Sequence, residues 1–305
     1  MFHYFIENLN KIMYLFSISQ LEQYSGIKSH TIRMWERRYN ALNPGRTDGN
    51  TRFYDNSQLR RLLNIVSLLH SDYKVSEVCA MTDEILFMQI RQLHNSDRNK
   101  STEYFVLQFI DAGMRYDESH FMDLFSQCLL RYGMKDMYIK VIYPLLVRIG
   151  LMWASGDMLP SYEHFITNTI RLKLCAAIDL LPPATSNADV WLLFQPENEF
   201  HEIGLLLSNY LIRLSGRKVI YLGSNVPLDS LIKTAKETPS GKLLSFLVHS
   251  DFSEHTKQYI DKLSVNFSSE KMYIAGSHSL ISQLQPQKNI CWLYSIEDLE
   301  KVLAV

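Results

Sequence analysis

An acidic residue, a histidine and a glycine follow one another closely in the chain: Glu199, His201 and Gly204. They lie between two apolar runs, 190–194 and 205–207, which indicates a strand, a loop and a helix. A histidine at the carboxyl end of a strand can bind a metal through one ring nitrogen while a carboxylate orients the other nitrogen. Gly204 leaves room for a bulky group to approach the backbone. The alternative is an ordinary surface turn, the commoner role of a lone histidine at a helix start.

The elements that must position this histidine alternate between strand and helix from residue 189 onward, which predicts an α/β, Rossmann-like, doubly wound parallel sheet. The predicted strands are residues 190–194, 218–222, 243–249, 272–274 and 290–294, and the predicted helices are 202–215, 228–237, 254–265 and 296–303. The patterns GxGxxG, GxxxxGK[ST], HExxH and GxSxG do not occur in the sequence. We therefore predict no enzyme of the classes that those patterns mark.

Residues 86–183 contain segments with apolar residues at three- and four-residue intervals, which predicts a four-helix bundle. The segments are 101–114, 118–131, 135–153 and 161–181, and the breaks are Tyr132-Gly133, Ser155-Gly156 with Pro160, and Pro182-Pro183. Across the second break, Trp153, Glu163 and His164 bring an aromatic ring, a carboxylate and an imidazole to one end of the bundle. The alternative is a tryptophan that closes the core beside an exposed Glu–His pair.

The amino-terminal part is basic although the whole chain has a net charge of -1. Between residues 15 and 70 there are eight Arg or Lys and four Asp or Glu, an excess of four positive charges. The basic residues are Lys28, Arg33, Arg37, Arg38, Arg46, Arg52, Arg60 and Arg61, and the acidic ones are Glu22, Glu36, Asp48 and Asp55. This segregation favours an anionic partner.

Two short helices, a turn and a wing are predicted in the same part of the chain. Ser17 or Ser19 can cap a first helix that ends near Gly26, and Ser29 can cap a second helix that ends at Tyr39. In a helix-turn-helix the second helix enters the major groove of DNA. The predicted DNA contacts are Ser29, His30, Thr31 and Arg33 in that helix, and Arg46, Arg52 and Tyr54 in the wing. A basic protein-binding hairpin is the alternative, and Trp35 is expected in the core.

The motif Thr31-Ile32-Arg33-x-Trp35-Glu36-x-Arg38-Tyr39, followed by Pro44-x-Arg46-Thr47 and Arg52-x-Tyr54, resembles the MerR family of winged helix-turn-helix transcription regulators. The resemblance covers about residues 15–85. It implies a DNA operator as partner.

The bundle followed by Glu199-x-His201-x-x-Gly204 is similar to cobalamin-binding modules. The resemblance implies that His201 is the lower axial ligand of cobalt, that Glu199 orients it and that Gly204 admits the corrin. The family's later motifs match Ser245-x-Leu247 and Gly276, which would lie near the tail of the displaced base. Ala275 stands where the family has the first glycine of a Gly-Gly pair.

A MerR head before such a module resembles light-dependent, adenosylcobalamin-binding repressors of the CarH/LitR type. In that family a Trp, nine residues and Glu-His cover the upper face of the corrin, and Trp153, Glu163 and His164 reproduce the spacing. Ala154 stands where characterised light sensors have a histidine.

We therefore predict a multidomain regulator: residues 1–85 as the DNA-binding domain, 86–185 as the bundle and 186–305 as the cobalamin-binding domain. Adenosylcobalamin would control its assembly as a dimer or tetramer and its binding to DNA, with light sensing as one form of that control. The alternatives are a regulator of the same fold that senses another ligand or a protein, and a cobalamin-dependent methyl-transfer enzyme. The four cysteines form no CxxC pair, and no apolar run approaches the ~18 residues of a membrane span, which indicates a reducing, cytoplasmic setting.

Overall fold

The computed structural model describes residues 15–47, 49–70, 73–94, 101–154, 158–184, 188–238, 240–248, 254–268, 271–276, 281–284 and 287–304. Its contacts divide the chain into two compact units, residues 1–168 and 169–305. The predicted DNA-binding head and most of the predicted bundle belong to the first unit. The division falls inside the last helix of the bundle rather than at residue 185.

The first unit is helical apart from a small wing. The head contains α1 (Ile18–Ser25), α2 (Ser29–Tyr39), β1 (Gly45–Arg46), β2 (Arg52–Phe53), α3 (Asn56–Leu69), α4 (Val75–Cys79) and α5 (Asp83–His94). The bundle continues with α6 (Thr102–Met114), α7 (Glu118–Met137), a π-helical turn (Tyr138–Ile142), α8 (Tyr143–Ala154) and α9 (Pro160–Asp179). β1 and β2 pair antiparallel to form the wing. The predicted winged helix-turn-helix followed by helices is confirmed.

The amino terminus of α1 is capped by the residue before it, whereas that of α2 is capped by a side chain of α1. Ser17 caps α1 as predicted, since its side chain accepts the Gln20 amide, and Gly26 ends the helix with a φ of 74°. Ser29 is the first residue of α2 rather than its cap, so that prediction is wrong. The Glu22 carboxylate accepts both the amide and the hydroxyl of Ser29, at 2.9 and 2.7 Å, and takes over the capping role.

α6 is the central helix of the first unit. Every residue from Tyr104 to Met114 is buried, although the sequence pattern suggested a helix with one polar face. The reason is that α3 of the head packs along α6, and the buried Gln108 amide donates to Asn64 at 3.1 Å and Ser67 at 2.9 Å of α3. The head and the bundle are therefore joined by a packed and hydrogen-bonded contact.

The predicted breaks in the bundle are partly confirmed. Gly133 interrupts α7 with a φ of 70°, and α9 begins at Pro160, whose fixed φ suits the first position of a helix. Residues 155–157, which include the predicted Ser155-Gly156 turn, lie outside the described residues. The part of the chain that the structure describes contains no helix long and apolar enough to cross a membrane.

The second unit is built on a parallel sheet whose five described strands have the order β4-β3-β5-β6-β7. The elements after α9 are β3 (Val190–Phe194), α10 (Ile203–Leu214), β4 (Lys218–Gly223), α11 (Leu228–Glu237), β5 (Lys242–Leu247), α12 (Glu254–Asn266), β6 (Lys271–Gly276), β7 (Ile290–Leu293) and α13 (Ile296–Leu303). β3 is flanked by β4 on one side and β5 on the other. The predicted doubly wound sheet is confirmed, and β3 delivers its following loop to the carboxyl edge between these neighbours.

Candidate functional site

The His201 loop (residues 195–201) connects β3 to α10. Nδ1 of His201 lies 2.7 Å from Oε1 of Glu199, and the same oxygen accepts the His201 amide at 3.0 Å. Glu199 is buried, being 5% exposed, whereas the His201 side chain is 57% exposed. The predicted pairing of the two side chains is confirmed.

Neighbouring loops hold Glu199 in place from both sides. Its Oε2 accepts the amide of Val248, just after β5, at 3.2 Å. Its carbonyl accepts the amide of Asn225, just after β4, at 3.1 Å, and the Asn225 side chain accepts the amide of Asn198 at 2.9 Å. Asn198 has a φ of 64°, a left-handed conformation that asparagine tolerates. The loop is thus tied to the ends of both strands beside β3, where open parallel sheets bind ligands.

The Glu199 contact fixes the chemistry of the His201 ring. A carboxylate accepts hydrogen bonds, so Nδ1 is the donor in this contact and the lone pair of a neutral ring lies on Nε2. A carboxylate behind the ring also raises the basicity of the ligating nitrogen and restricts its rotation. One exposed imidazole held in this way suits a metal ion whose other positions are filled by another group.

The space beside Gly204 is filled by the chain itself. A Cβ on Gly204 would lie 2.7 Å from the ring of Phe246, the middle residue of the Ser245-x-Leu247 motif. The prediction that Gly204 opens the backbone to a bulky ligand is therefore corrected, because the half-buried Phe246 ring occupies that room.

Ser245, Leu247 and Gly276 lie at the carboxyl ends of β5 and β6, the edge at which Val248 also meets the His201 loop. Leu247 and Gly276 are register partners, and a Cβ on Gly276 would lie 3.1 Å from the Leu247 carbonyl oxygen. Ser245 is 1% exposed, and its hydroxyl has no hydrogen-bond partner among the described residues. A buried hydroxyl without a partner is unusual, and a polar ligand atom is one kind of group that would satisfy it.

Trp153, Glu163 and His164 belong to the first unit, on the last turn of α8 and the first turn of α9. Trp153 is 57% exposed, so the alternative in which it closes the core is wrong. Nδ1 of His164 lies 2.9 Å from Oε2 of Glu163, with side chains 70% and 26% exposed respectively. The aromatic ring is available for contact with a ligand, and the side chain of Ala154 lies outside the described residues.

The recognition helix α2 presents His30 and Arg33 to solvent, while Trp35 on its other side is buried as predicted. Thr31 is half-buried. Ser29 is also half-buried, and its hydroxyl is already engaged by Glu22, so Ser29 mainly fixes the start of the helix. The carboxylate of Glu22 has its pKa lowered to about 2, first by the Ser29 hydroxyl and then by the Ser29 amide and Lys28.

The wing supplies two arginines but not a tyrosine. Arg46 is exposed and donates to the Asn50 side chain at 2.6 Å, which braces the turn of the wing. Arg52 lies 3.0 Å from the Glu36 carboxylate, whose other oxygen accepts from the hydroxyl of Tyr54 at 2.5 Å. Tyr54 is fully buried, and burial with the Glu36 contact raises its pKa. Its predicted direct contact with DNA is therefore corrected to a supporting role behind Arg52.

A cleft of about 310 Å³ lies between the recognition helix and the wing. It is lined by Ser17, Ile18, Arg33, Asn50, Thr51 and Arg52. Two arginines at one cleft suit a phosphate group of a nucleic acid backbone.

Comparison with known families agrees with the description of the head and with that of the bundle. The family described as MerR HTH family regulatory protein matches residues 16–85, and the family described as B12 binding domain matches residues 107–176. The chain thus combines a region that matches the MerR helix-turn-helix with a region that matches a B12 binding domain. The second match covers α6 to α9, so the His201 loop lies outside the matched residues.

Two curated proteins to which this chain is similar are transcriptional repressors from Myxococcus xanthus. The HTH-type transcriptional repressor CarH is 26% identical over 220 residues, which cover 71% of this chain and 73% of CarH. The HTH-type transcriptional repressor CarA is 25% identical over 220 residues, which cover 70% of each chain. Among solved structures, the Methanosarcina barkeri monomethylamine corrinoid protein is similar with a TM-score of 0.50 and 16% identity, covering 64% of this chain and 94% of that one. That likeness supports the fold alone.

Sequence reasoning missed two residues of the His201 loop region and one of the head. Gln195 donates from Nε2 to the His201 carbonyl at 2.8 Å, Phe246 fills the space at Gly204, and Glu22 caps α2. A usable signal existed for Gln195, since a polar residue directly follows the buried run of β3. Phe246 and Glu22 have no such local signal, because their partners lie far along the chain or on the next helix.

Proposed function

We propose that this protein is a transcription repressor that binds DNA through its head and responds to cobalamin. The observation that carries the proposal is the Glu199–His201 pair, held by two neighbouring loops at the edge of the sheet. The B12 binding domain and the similarity to CarH and CarA support the same conclusion. In this proposal residues 1–85 bind DNA, 86–185 form the bundle and 186–305 hold the corrinoid.

The residues present fit a corrinoid. Cobalamin, when bound, would supply a cobalt ion held by its corrin ring. His201 would bind that ion through Nε2, with Glu199 orienting the ring. The unpartnered Ser245 hydroxyl, with Leu247 and Gly276, would receive the tail of the cofactor. From the resemblance alone, we assign Trp153, Glu163 and His164 to the adenosyl group of adenosylcobalamin.

The head would read an operator in double-stranded DNA. His30 and Thr31 would face the bases, while Arg33, Arg46 and Arg52 would contact phosphates. Because one head offers few base contacts, we propose that the protein acts as a dimer or tetramer whose paired heads read repeated half-sites.

A ligand shifts an equilibrium only through different affinities for its two states. We therefore propose that adenosylcobalamin favours one assembly of the protein and so changes its affinity for the operator. Light would act through the same equilibrium by removing the adenosyl group. Because position 154 is an alanine where light sensors have a histidine, the light response is tested separately from cofactor binding.

A second candidate function is a regulator of the same fold that binds a ligand other than cobalamin. The Phe246 ring that fills the space beside Gly204 favours it, as does the alanine at position 275, where cobalamin-binding modules have a glycine.

The test is retention of adenosylcobalamin by the purified protein after desalting in the dark, measured by absorption. His201→Ala is compared with His70→Ala, which removes an exposed histidine in the head. We expect the native protein and His70→Ala to retain cobalamin with a spectrum in which histidine replaces the cofactor's base, and His201→Ala to lose that spectrum. No retention would favour the second candidate, and retention that does not depend on His201 would contradict the assignment of His201 as the cobalt ligand. Green light and an operator-binding assay then test the light response and the assembly.

A further inference from the structure

Gln195 closes the His201 loop. It is the first residue of the loop and His201 is the last, and Nε2 of Gln195 donates to the His201 carbonyl at 2.8 Å. That carbonyl lies just before α10, whose first hydrogen bond is accepted by Glu202, so it has no place in the helical ladder. The Gln195 side chain therefore supplies the partner that the end of the loop requires.

Gln195 is itself a fixed point. Its amide donates to the Gly223 carbonyl at 2.9 Å and its carbonyl accepts the Val226 amide at 3.0 Å, so its backbone is tied to the end of β4 and to the loop that follows. The residue is 0% exposed. Because the Gln195 backbone is fixed, its side chain can restrict the position of the His201 carbonyl oxygen that it binds.

The oxygen of the Gln195 side-chain amide, Oε1, is buried and has no hydrogen-bond partner among the described residues. Reversing the amide would pair two oxygens, Oε1 with the His201 carbonyl, so the orientation is set by the hydrogen bond. Buried acceptors are normally paired, and the peripheral carboxamides of a corrinoid are N–H donors of the kind that Oε1 lacks.

We propose that Gln195 is a positioning residue for His201: Glu199 orients the ring and Gln195 holds the backbone from which the ring projects. This inference rests on the proposed function as far as the ligand is cobalamin. It assigns to Gln195 an effect on ligation that acts through His201 rather than through the cobalt.

The experiment compares Gln195→Met, which keeps the length of the side chain but removes its polar groups, with Asn209→Leu. Asn209 is a buried amide of α10 that accepts from Arg213 at 2.7 Å, away from the loop, and controls for the loss of a buried amide. Hydrogen exchange at the His201 amide is measured in the ligand-free proteins. Binding of cobalamin and nitrogen coupling to Co(II) in the electron paramagnetic resonance spectrum are measured in the loaded ones.

We expect Gln195→Met to exchange the His201 amide about five- to tenfold faster, the factor for one net hydrogen bond. We also expect it to bind cobalamin about 10- to 100-fold more weakly, with reduced histidine coupling. Asn209→Leu should match the native protein in both. Unchanged exchange, or faster exchange with full binding and full histidine coupling, would overturn the proposal. If the native protein itself ignores cobalamin while exchange still accelerates, Gln195 positions His201 and the cobalamin assignment alone fails.

Discussion

Two Glu–His pairs, one in each compact unit, use the same residue types in different surroundings. Glu199 and His201 are two residues apart on a loop and lie 2.7 Å apart, with side chains 7% and 57% exposed. Glu163 and His164 are adjacent on the first turn of α9 and lie 2.9 Å apart, with side chains 26% and 70% exposed. The distances are similar, but the burial of the carboxylates is not.

The difference teaches that the surroundings of the carboxylate decide what the histidine can do. Glu199 accepts hydrogen bonds from the His201 ring, the His201 amide and the Val248 amide, so neither its position nor that of the ring is free to vary. An exposed pair gains little from its charges, because water screens them and both side chains lose rotamer freedom. We infer that Glu199 orients the His201 ring for binding. Glu163, in contrast, does not fix the His164 ring as long as no ligand is bound.

The largest effect should come from removing the buried carboxylate. We expect Glu199→Ala to lower the free energy of unfolding of the second unit by about 3 kcal/mol, since it leaves the amides of His201 and Val248 and a ring nitrogen without their charged partner. Glu163→Ala should lower the stability of the first unit by less than about 1 kcal/mol. Urea denaturation of the full chain measures both. Equal losses would remove the distinction between the pairs.

Replacing each carboxylate with an amide of the same size should affect the affinity for cobalamin differently in the two pairs. We expect Glu199→Gln to weaken binding about 10- to 100-fold, the usual effect of replacing the partner of a ligating histidine. Glu163→Gln should change affinity less than about threefold in the absence of an upper group, because its contact with His164 is solvated. Titration with hydroxocobalamin, which lacks the adenosyl group, followed by absorption gives both values. A larger loss for Glu163→Gln would mean that the exposed pair is the ligand site.

The same contrast explains what could be predicted from the sequence. The Glu199–His201 contact is local, and a two-residue spacing after an apolar strand was enough to predict it. The bounds of β3 and α11 were also predicted, because their periodicity is strong. Contacts between distant residues were missed: Phe246 meets Gly204 across 42 positions, by subtraction of their numbers, and α3 buries the supposedly polar face of α6. No single-sequence pattern reports which side chain fills a space left by a glycine elsewhere.

Glycine substitutions should show the same contrast between a packed position, Gly204, and an open one, Gly150. We expect Gly204→Ala to lower stability by about 2 kcal/mol, because a Cβ would meet the Phe246 ring at 2.7 Å and a packed site does not yield freely. Phe246→Leu in the same chain should restore most of the loss. Gly150→Ala in α8, where nothing lies within 4 Å of the new Cβ, should stabilise by about 0.5 kcal/mol. Thermal unfolding measures all three, and a neutral Gly204→Ala would show that the Phe246 ring moves aside easily.

The head offers a third carboxylate, Glu36, which is buried like Glu199 and holds Arg52 and Tyr54. If burial is what matters, Tyr54→Phe should cost about 1 kcal/mol of stability, and the dependence of operator binding on salt should stay unchanged. Arg33→Ala should instead leave stability unchanged and reduce the slope of log affinity against log salt by about one. Unfolding curves and operator titrations at several salt concentrations test this. A reduced slope for Tyr54→Phe would restore that residue as a phosphate contact.

Glu22 tests whether the number of hydrogen bonds to a carboxylate matters apart from its burial. Its substitution should have the smallest effect on stability. Its carboxylate is open to solvent as Glu163 is, yet it accepts from the Ser29 hydroxyl and amide and from Lys28. These donors lower its pKa from 4.5 to about 2. A lowered pKa means stabilisation that is complete above the unfolded value and is lost as the pH falls from about 4.5 to about 2. We therefore expect Glu22→Gln to melt a few degrees below the native protein at pH 6 and together with it near pH 2. A difference that persists at pH 2 would mean that the shape of the cap matters rather than its charge, and that burial alone distinguishes Glu199 from Glu163.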